Sequence, residues 1–283
     1  MGGELKKTVP KSPYQFCECS NHYLQYGNVI EEFLESLRKA IETAENGMAG
    51  RVEYYERKKW GGREKDKTYI AYQDMINKYT ILKQKFNLLV ESGCKKGYHD
   101  DLLLLAAVAY NEAGTHCELS QKAICYAFLN HTENVVSYPP NNVISHFSKR
   151  NFVDGIIRDN RTMDNISTWS GQIVSCLEAA MYRLDKSDKK SNNSYPLSSQ
   201  EEDIVDEATH WVSPIGLKAE GYTKNNKGIC NKGVSRDGYS NCFPNWTQRP
   251  DEPNVEEVDV PGIEKNNFMF FKGVRYTRFT QNP

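Results

Sequence analysis

Residues 102–109 read LLLLAAVA, an unbroken apolar run with no polar side to turn toward solvent. A segment apolar all round is a fully buried helix. A run of this length is too short to cross a bilayer, so the burial has to be inside protein. The run leads into Tyr110, Asn111 and Glu112, Ala113-Gly114-Thr115 then breaks it, and a second amphipathic helix follows. That helix carries Ala123, Ile124, Ala127 and Phe128 on one face and closes on Leu129-Asn130.

Upstream, apolar positions recur at three and four over residues 28–46 (Val29, Ile30, Phe33, Leu34, Leu37, Ile41), and Gly47 is the expected stop. The same period returns over residues 69–90 with Tyr72, Met75, Ile76, Tyr79, Leu82 and Phe86, and Gly93 as its stop. The stretch between them is charged and basic and breaks at Gly61-Gly62. Two such stripes bury each other in an antiparallel helical hairpin over residues 14–93, leaving one apolar edge to pack on the rest of the chain or to dock a partner. Gly93 to Gly97 is the expected boundary and Asp100 the expected N-cap of the core helix. The division is therefore a hairpin domain at 1–97 and a second domain at 98–283.

Downstream, residues 137–142 read as a loop, with Asn142 capping a short helix through Phe147. Ser170 is placed to cap a helix over 171–184 with the stripe Ile173, Val174, Leu177, Ala180 and Met181. Residues 187–198 are polar and mobile in character, and Ser199 with Glu202 has the spacing of a capping box for a short helix. From His210 onward aromatics alternate with Gly, Pro and Asn in short β-friendly runs, which predicts loops and a small antiparallel sheet. The fold class expected is α+β, predominantly helical. Phe268, Phe270 and Phe271 belong to the core of that sheet, while Trp211 and Trp246 serve either as core or as platforms for the apolar face of a sugar.

Composition narrows the partners. Across 283 residues the net charge is -1, with 36 Lys+Arg against 37 Asp+Glu, which gives no overall attraction to nucleic acid or to an anionic membrane surface. The basic N-terminus lacks an apolar segment behind it and no run reaches transmembrane length, so neither a secretory signal nor membrane insertion is expected. Of eight cysteines, Cys230 and Cys242 flank a Gly-rich stretch suited to a disulfide-closed loop, and Cys94 is a candidate partner for Cys117. The rest read as buried free thiols. Cys17-x-Cys19 before His22 hints at zinc, but no second pair follows at finger spacing, so no metal and no cofactor are expected.

The chemistry centres on Glu112. A carboxyl where a core helix meets a loop pays desolvation in its charged form, so it holds a proton near neutral pH and suits a general acid. A glutamate at a helix end commonly caps it or pairs with a lysine, yet at a C-terminus it stands on the unfavourable side of the helix dipole. AYNEAG and the helix ending in Leu129-Asn130 resemble the catalytic domain of the SleB-type cell-wall hydrolases, the spore-cortex-lytic enzymes. Their pattern is an apolar helix ending in Glu-Ala-x-Gly, then a helix closing on Asn-Arg. The likeness runs over residues 99–275 through His146-Phe147-Ser148, Cys176 to Leu184, the segment from Ala208 to Pro214, Pro244-Asn245-Trp246 and Gly262 to Phe270. His131 stands where the family usually has Arg, and Asn267 where it usually has His.

This resemblance implies a lysozyme-like catalytic domain that cleaves peptidoglycan glycan strands as a lytic transglycosylase. Glu112 protonates the glycosidic oxygen, then takes the proton from the muramic acid C6 hydroxyl as it closes on C1 in a 1,6-anhydro sugar. Tyr110, Asn130 and Ser148 orient sugar or carboxylate, and His210, Trp211 and Trp246 complete the substrate-binding set. A hydrolytic muramidase would instead add a second carboxylate, Glu118, Asp203 or Asp206. A Cys/His amidase would use Cys117 with His116, His131 or His210, although no cysteine is expected to open a helix in a nucleophile setting. A wall-binding protein without catalysis explains the aromatics but not the acid.

A wall substrate and a chain without a signal are reconciled by synthesis in the bacterial cytoplasm and delivery by a secretion machine. The chain would then be an antibacterial toxin of the type VI effector kind, acting in the periplasm or cell wall of a target cell. The hairpin would adapt it to the secretion apparatus and an immunity protein would plug its cleft. Phage lysis and sporulation are the alternative settings.

Overall fold

The structure, a computed structural model, describes residues 20–114, 116–134, 163–188, 195–248 and 255–274. Ser148, the expected loop and short helix over 137–147, and the Cys17-x-Cys19 pair lie outside the described residues. The fold is predominantly helical with a small antiparallel sheet, as the sequence pattern implies. By compactness the chain divides into Met1–Leu103 with Val153–Val174, and Leu104–Phe152 with Ser175–Pro283. Among the described residues no helix is long and apolar enough to cross a membrane.

In the first unit, α1 (Ser20–Lys58) and α2 (Lys67–Lys95) form the expected hairpin. Tyr72 lies on Gly47 and Asp66 binds Arg51, so rising numbers on one helix meet falling numbers on the other and the pair is antiparallel. Gly47 is not a stop. A Cβ there would come within 2.4 Å of the Tyr72 ring, so the bare Cα admits that ring and the helix runs on through it. The C-terminus of α1 is built by Lys59, whose φ of 53° is left-handed. Lys59 N–H donates to the Glu56 carbonyl and Trp60 N–H to the Tyr55 carbonyl, the two bonds of a Schellman cap.

The same motif closes α2 around Gly97 at φ 73°, with Gly97 N–H on the Cys94 carbonyl and Tyr98 N–H on that of Gly93. Gly93 is buried inside the helix because Leu102 packs on its Cα, where a Cβ would meet Leu102 Cδ2 at 2.4 Å. At the other end of α2, Asp66 accepts from Thr68 N–H at 2.8 Å and Tyr69 N–H at 3.0 Å and also binds Arg51. These donors, the Arg51 guanidinium foremost, hold its carboxyl down at about 2.

Helix α3 (His99–Ala113) carries the apolar run, and Leu102, Leu105, Ala106 and Ala109 are fully enclosed. It begins one residue before Asp100, with Leu102 N–H bonded to the Tyr98 carbonyl, so Asp100 lies in the first turn and is not the cap. Helix α4 (Glu118–Asn134) runs past Asn130 and is buried on every side from Ala123 through Thr132, where the sequence suggested one apolar face. Helix α5 (Met163–Asp185) starts well before Ser170, which is therefore interior. Ile173, Val174, Leu177 and Ala180 are buried as expected, joined by Cys176 and Arg183.

Arg183 is enclosed at 1 % exposure, lies over the Tyr126 ring, and donates to Ser187 Oγ and to the Tyr195 carbonyl. It thereby fastens two arms paired by the Ser187 to Leu197 bridge, so the ends of the polar segment are ordered. The capping-box helix expected after Ser199 is replaced by turns organised by Asp203, because its carboxylate takes the donors that a helix would have used.

The three-stranded sheet has the order β1 (His210–Val212), β5 (Met269–Lys272), β4 (Glu256–Val258), all antiparallel. His210 pairs with Phe271, Trp211 with Phe270, and Val258 also with Phe270. Ser213 then caps α6 (Pro214–Ala219) by accepting from Gly216 N–H. A second ladder of β2 (Val234–Ser235) with β3 (Cys242–Phe243) is held by the expected Cys230–Cys242 disulfide. Phe243, Phe271, Met269, Val212 and Leu217 form one core beside it. Cys94 is disulfide-bonded while Cys117 is a free, exposed thiol, so those two are not partners.

Candidate active site

Glu112 stands half-buried in the last turn of α3, and Ala113 beside it is fully enclosed. Gly114 turns the chain away there. Its N–H bonds the Tyr110 carbonyl at 2.9 Å, and a Cβ would press on that same oxygen at 2.4 Å, so the position admits only glycine without rearrangement. Trp211 on β1 donates its indole N–H to Glu112 Oε2 at 3.1 Å, across 99 residues of sequence. The Trp211 ring lies near Phe128 of α4, with centroids 6.5 Å apart. The acid is thus anchored from the helix behind it and aimed by a donor on the sheet.

The other expected substrate residues are placed differently. Asn130 is buried in α4, and its amide N–H groups donate to Asp203 Oδ2 at 2.8 Å and to the Ala208 carbonyl at 3.2 Å. It fastens the turn that leads into β1. His210 and Trp246 lie against each other at 5.2 Å, with Trp246 edge-on to Phe271 at 5.4 Å and His131 edge-on to His210 at 4.8 Å. Thr209 ties the imidazoles together. Its carbonyl takes the His131 Nδ1 proton at 3.1 Å and its hydroxyl meets His210 Nδ1 at 2.9 Å. Burial pushes the His210 imidazole down to about 3, with His131 adding to the effect, and burial lowers His131 as well. Both rings are therefore neutral parts of an aromatic cluster.

The carboxylates considered for a second catalytic role are engaged. Asp203 takes Asn130 and the Glu207 N–H on one oxygen and the Val205 N–H on the other. Asp206 pairs with Lys272 at 2.5 Å, and Glu118 pairs with Lys122 one helical turn on at 2.7 Å. Cys117 corrects the sequence reading, because it stands immediately before α4 with Sγ 3.4 Å from Ser120 Oγ. The Ser120 hydroxyl and N–H lower its thiol. Among the described residues its sulfur is hydrogen-bonded to that serine and not to an imidazole, and His116 instead lies edge-on to Phe268 at 4.8 Å. Among the described residues no cluster of His, Cys, Asp or Glu could hold a metal ion. Compared with protein-family models, with curated proteins and with solved structures, the chain matches none of them.

Proposed function

We propose that this chain cleaves the glycan strand of peptidoglycan in a lysozyme-like catalytic domain, with Glu112 as its only proton-transfer group. The observation that carries the reading is the setting of Glu112: a half-buried carboxylate at the end of a helix whose apolar run is enclosed, with one oxygen held by an indole donor. An acid of this kind must be oriented toward a reacting oxygen within hydrogen-bond reach, and Trp211 supplies that orientation. Protonated Glu112 gives its proton to the bridging oxygen as the bond to C1 breaks. The resulting carboxylate then takes the C6 hydroxyl proton while that oxygen bonds C1. Water does not enter, and the proton returns to Glu112.

The engagement of Asp203, Asp206 and Glu118 with their own partners favours this single-carboxylate scheme over a hydrolytic muramidase. The lowered, exposed thiol of Cys117 favours a second reading, cysteine-dependent cleavage of stem peptides. One experiment separates them: the parent chain, Glu112→Gln and Cys117→Ala are incubated with purified sacculi and the fragments weighed. Glu112→Gln is expected to lose ~10²–10⁴ in rate with folding intact, and Cys117→Ala to match the parent. The fragments are expected to be lighter by one water than hydrolytic ones. Full activity of Glu112→Gln overturns the proposal, and loss in Cys117→Ala alone moves the chemistry to the thiol.

A further inference from the structure

The turn between α1 and α2 has an unusual surface. From Arg57 through Lys67 there are six exposed cations and one exposed carboxylate, Glu64, because Asp66 is buried and already bound to Arg51. At the apex Trp60 remains 58 % exposed. Its indole is nevertheless fixed, edge-on to Tyr54 at 5.9 Å and to Tyr55 at 6.3 Å, with the Arg51 guanidinium 5.0 Å from the Tyr54 centroid. The Schellman cap at Lys59, the left-handed Gly62 at φ 86° and the Asp66 cap set the backbone on either side. A large aromatic is thus held out into solvent by a built support, in a turn that carries six exposed cations.

We propose that this apex attaches the chain to a bilayer surface rich in anionic phospholipid. Indole is amphipathic and settles at the level of the headgroups. Lysine and arginine bury their stems there while their charges meet lipid phosphates. The net charge of -1 for the whole chain does not oppose this, since salt screens charges beyond ~8 Å and the local patch alone is felt at contact. The shape separates a membrane from a nucleic acid. Single strands are held along grooves with successive stacking aromatics, whereas a convex turn with one raised indole touches a flat surface at a point. The proposal is independent of the Glu112 chemistry.

The test uses the full chain and vesicles of phosphatidylcholine with about a third phosphatidylglycerol, at salt from about 0.1 to about 0.5 M. The parent is expected to float with these vesicles at low salt, to be released at high salt, and to ignore pure phosphatidylcholine. Trp60→Ala and the pair Lys58→Glu with Lys59→Glu are each expected to weaken partition at least about tenfold, with unchanged circular dichroism because these side chains are exposed. Lipids brominated in the acyl chain should quench parent fluorescence more than that of Trp60→Phe, which isolates one of the four tryptophans. Equal binding to neutral and anionic vesicles, or parental binding by both variants, overturns the proposal. So does tight binding of a single-stranded oligonucleotide lost in the same variants, with no vesicle binding.

Discussion

Replacing Asn130 by alanine tests whether this side chain holds the fold or the substrate. The amide is buried and donates both to a carboxylate, at 2.8 Å, and to the Ala208 carbonyl, at 3.2 Å. Losing a hydrogen bond to a charged group costs about 1.5–3 kcal/mol, and leaving the carbonyl without its donor costs about 1–3 kcal/mol. Asp203 keeps its two backbone donors and so recovers part of the loss. The net cost is roughly 3 kcal/mol, a large share of the ~5–15 kcal/mol that holds a typical domain together. Urea unfolding followed by tryptophan fluorescence measures it, since Trp211 and Trp246 belong to the same unit as Asn130. Asn130→Asp should be worse still, because it sets a second carboxylate against Asp203. Under native conditions the folded fraction of either variant should bind sacculi with parental affinity. If Asn130→Ala unfolds like the parent but binds sacculi weakly, the structural assignment fails and Asn130 returns to the substrate.

Lys59→Gly removes a side chain from a left-handed position and is expected to stabilise the α1 terminus by about 1 kcal/mol, read as a shift in thermal midpoint. His210 is neutral when folded, down at about 3 against 6.5 unfolded, so its contribution is complete above 6.5 and is lost as pH falls toward 3. The expected slope in that window is on the order of 1 kcal/mol per pH unit, and His210→Phe should flatten it in urea titrations at stepped pH; an unchanged slope would refute the burial argument. Reducing the Cys230–Cys242 disulfide, or replacing both residues by serine, should cost roughly 3 kcal/mol for a loop of this size, with intact mass and alkylation confirming which thiols were freed.

What the sequence made legible was burial. A run such as 102–109 admits no alternative to a core helix, and the 3.6 period of α1 and α2 carries the hairpin. Glycine was misread where its role was lateral. Gly47 and Gly93 looked like stops, but their missing Cβ atoms make room for Tyr72 and Leu102, side chains on other helices that no local pattern reveals. The real stops are Lys59, whose left-handed φ its residue type hides, and Gly97, four residues beyond the expected one. The site was half legible: Glu112 stood out by position, whereas its donor Trp211 is 99 residues away. Asp203 stands in the sequence as a candidate second carboxylate because its donor Asn130 is 73 residues earlier. Cys117 was missed as a helix opener because the break after Gly114 hid where α4 begins.

The strand that carries Trp211 also limits how many expected substrate residues can serve one cleft. Successive side chains on a strand point to opposite faces, so His210 and Trp211 cannot both face the same space from β1. Trp211 turns toward Glu112 and Phe128, whereas His210 meets Trp246, and Trp246 packs on Phe271 in the core. The sugar-binding set read from sequence therefore splits, with Trp211 on the side of the acid and His210 with Trp246 on the side of the core. Replacing Trp211 by Phe keeps an aromatic ring but removes the indole N–H that donates to Glu112 Oε2. Because that donor orients the carboxylate, its loss should lower the rate on sacculi at least about tenfold while stability holds. Trp246→Leu should do the reverse, lowering stability through the exposed face of Phe271 and leaving the rate of the folded protein in place. A rate that falls with Trp246→Leu and not with Trp211→Phe would mean the acid is aimed by some other group.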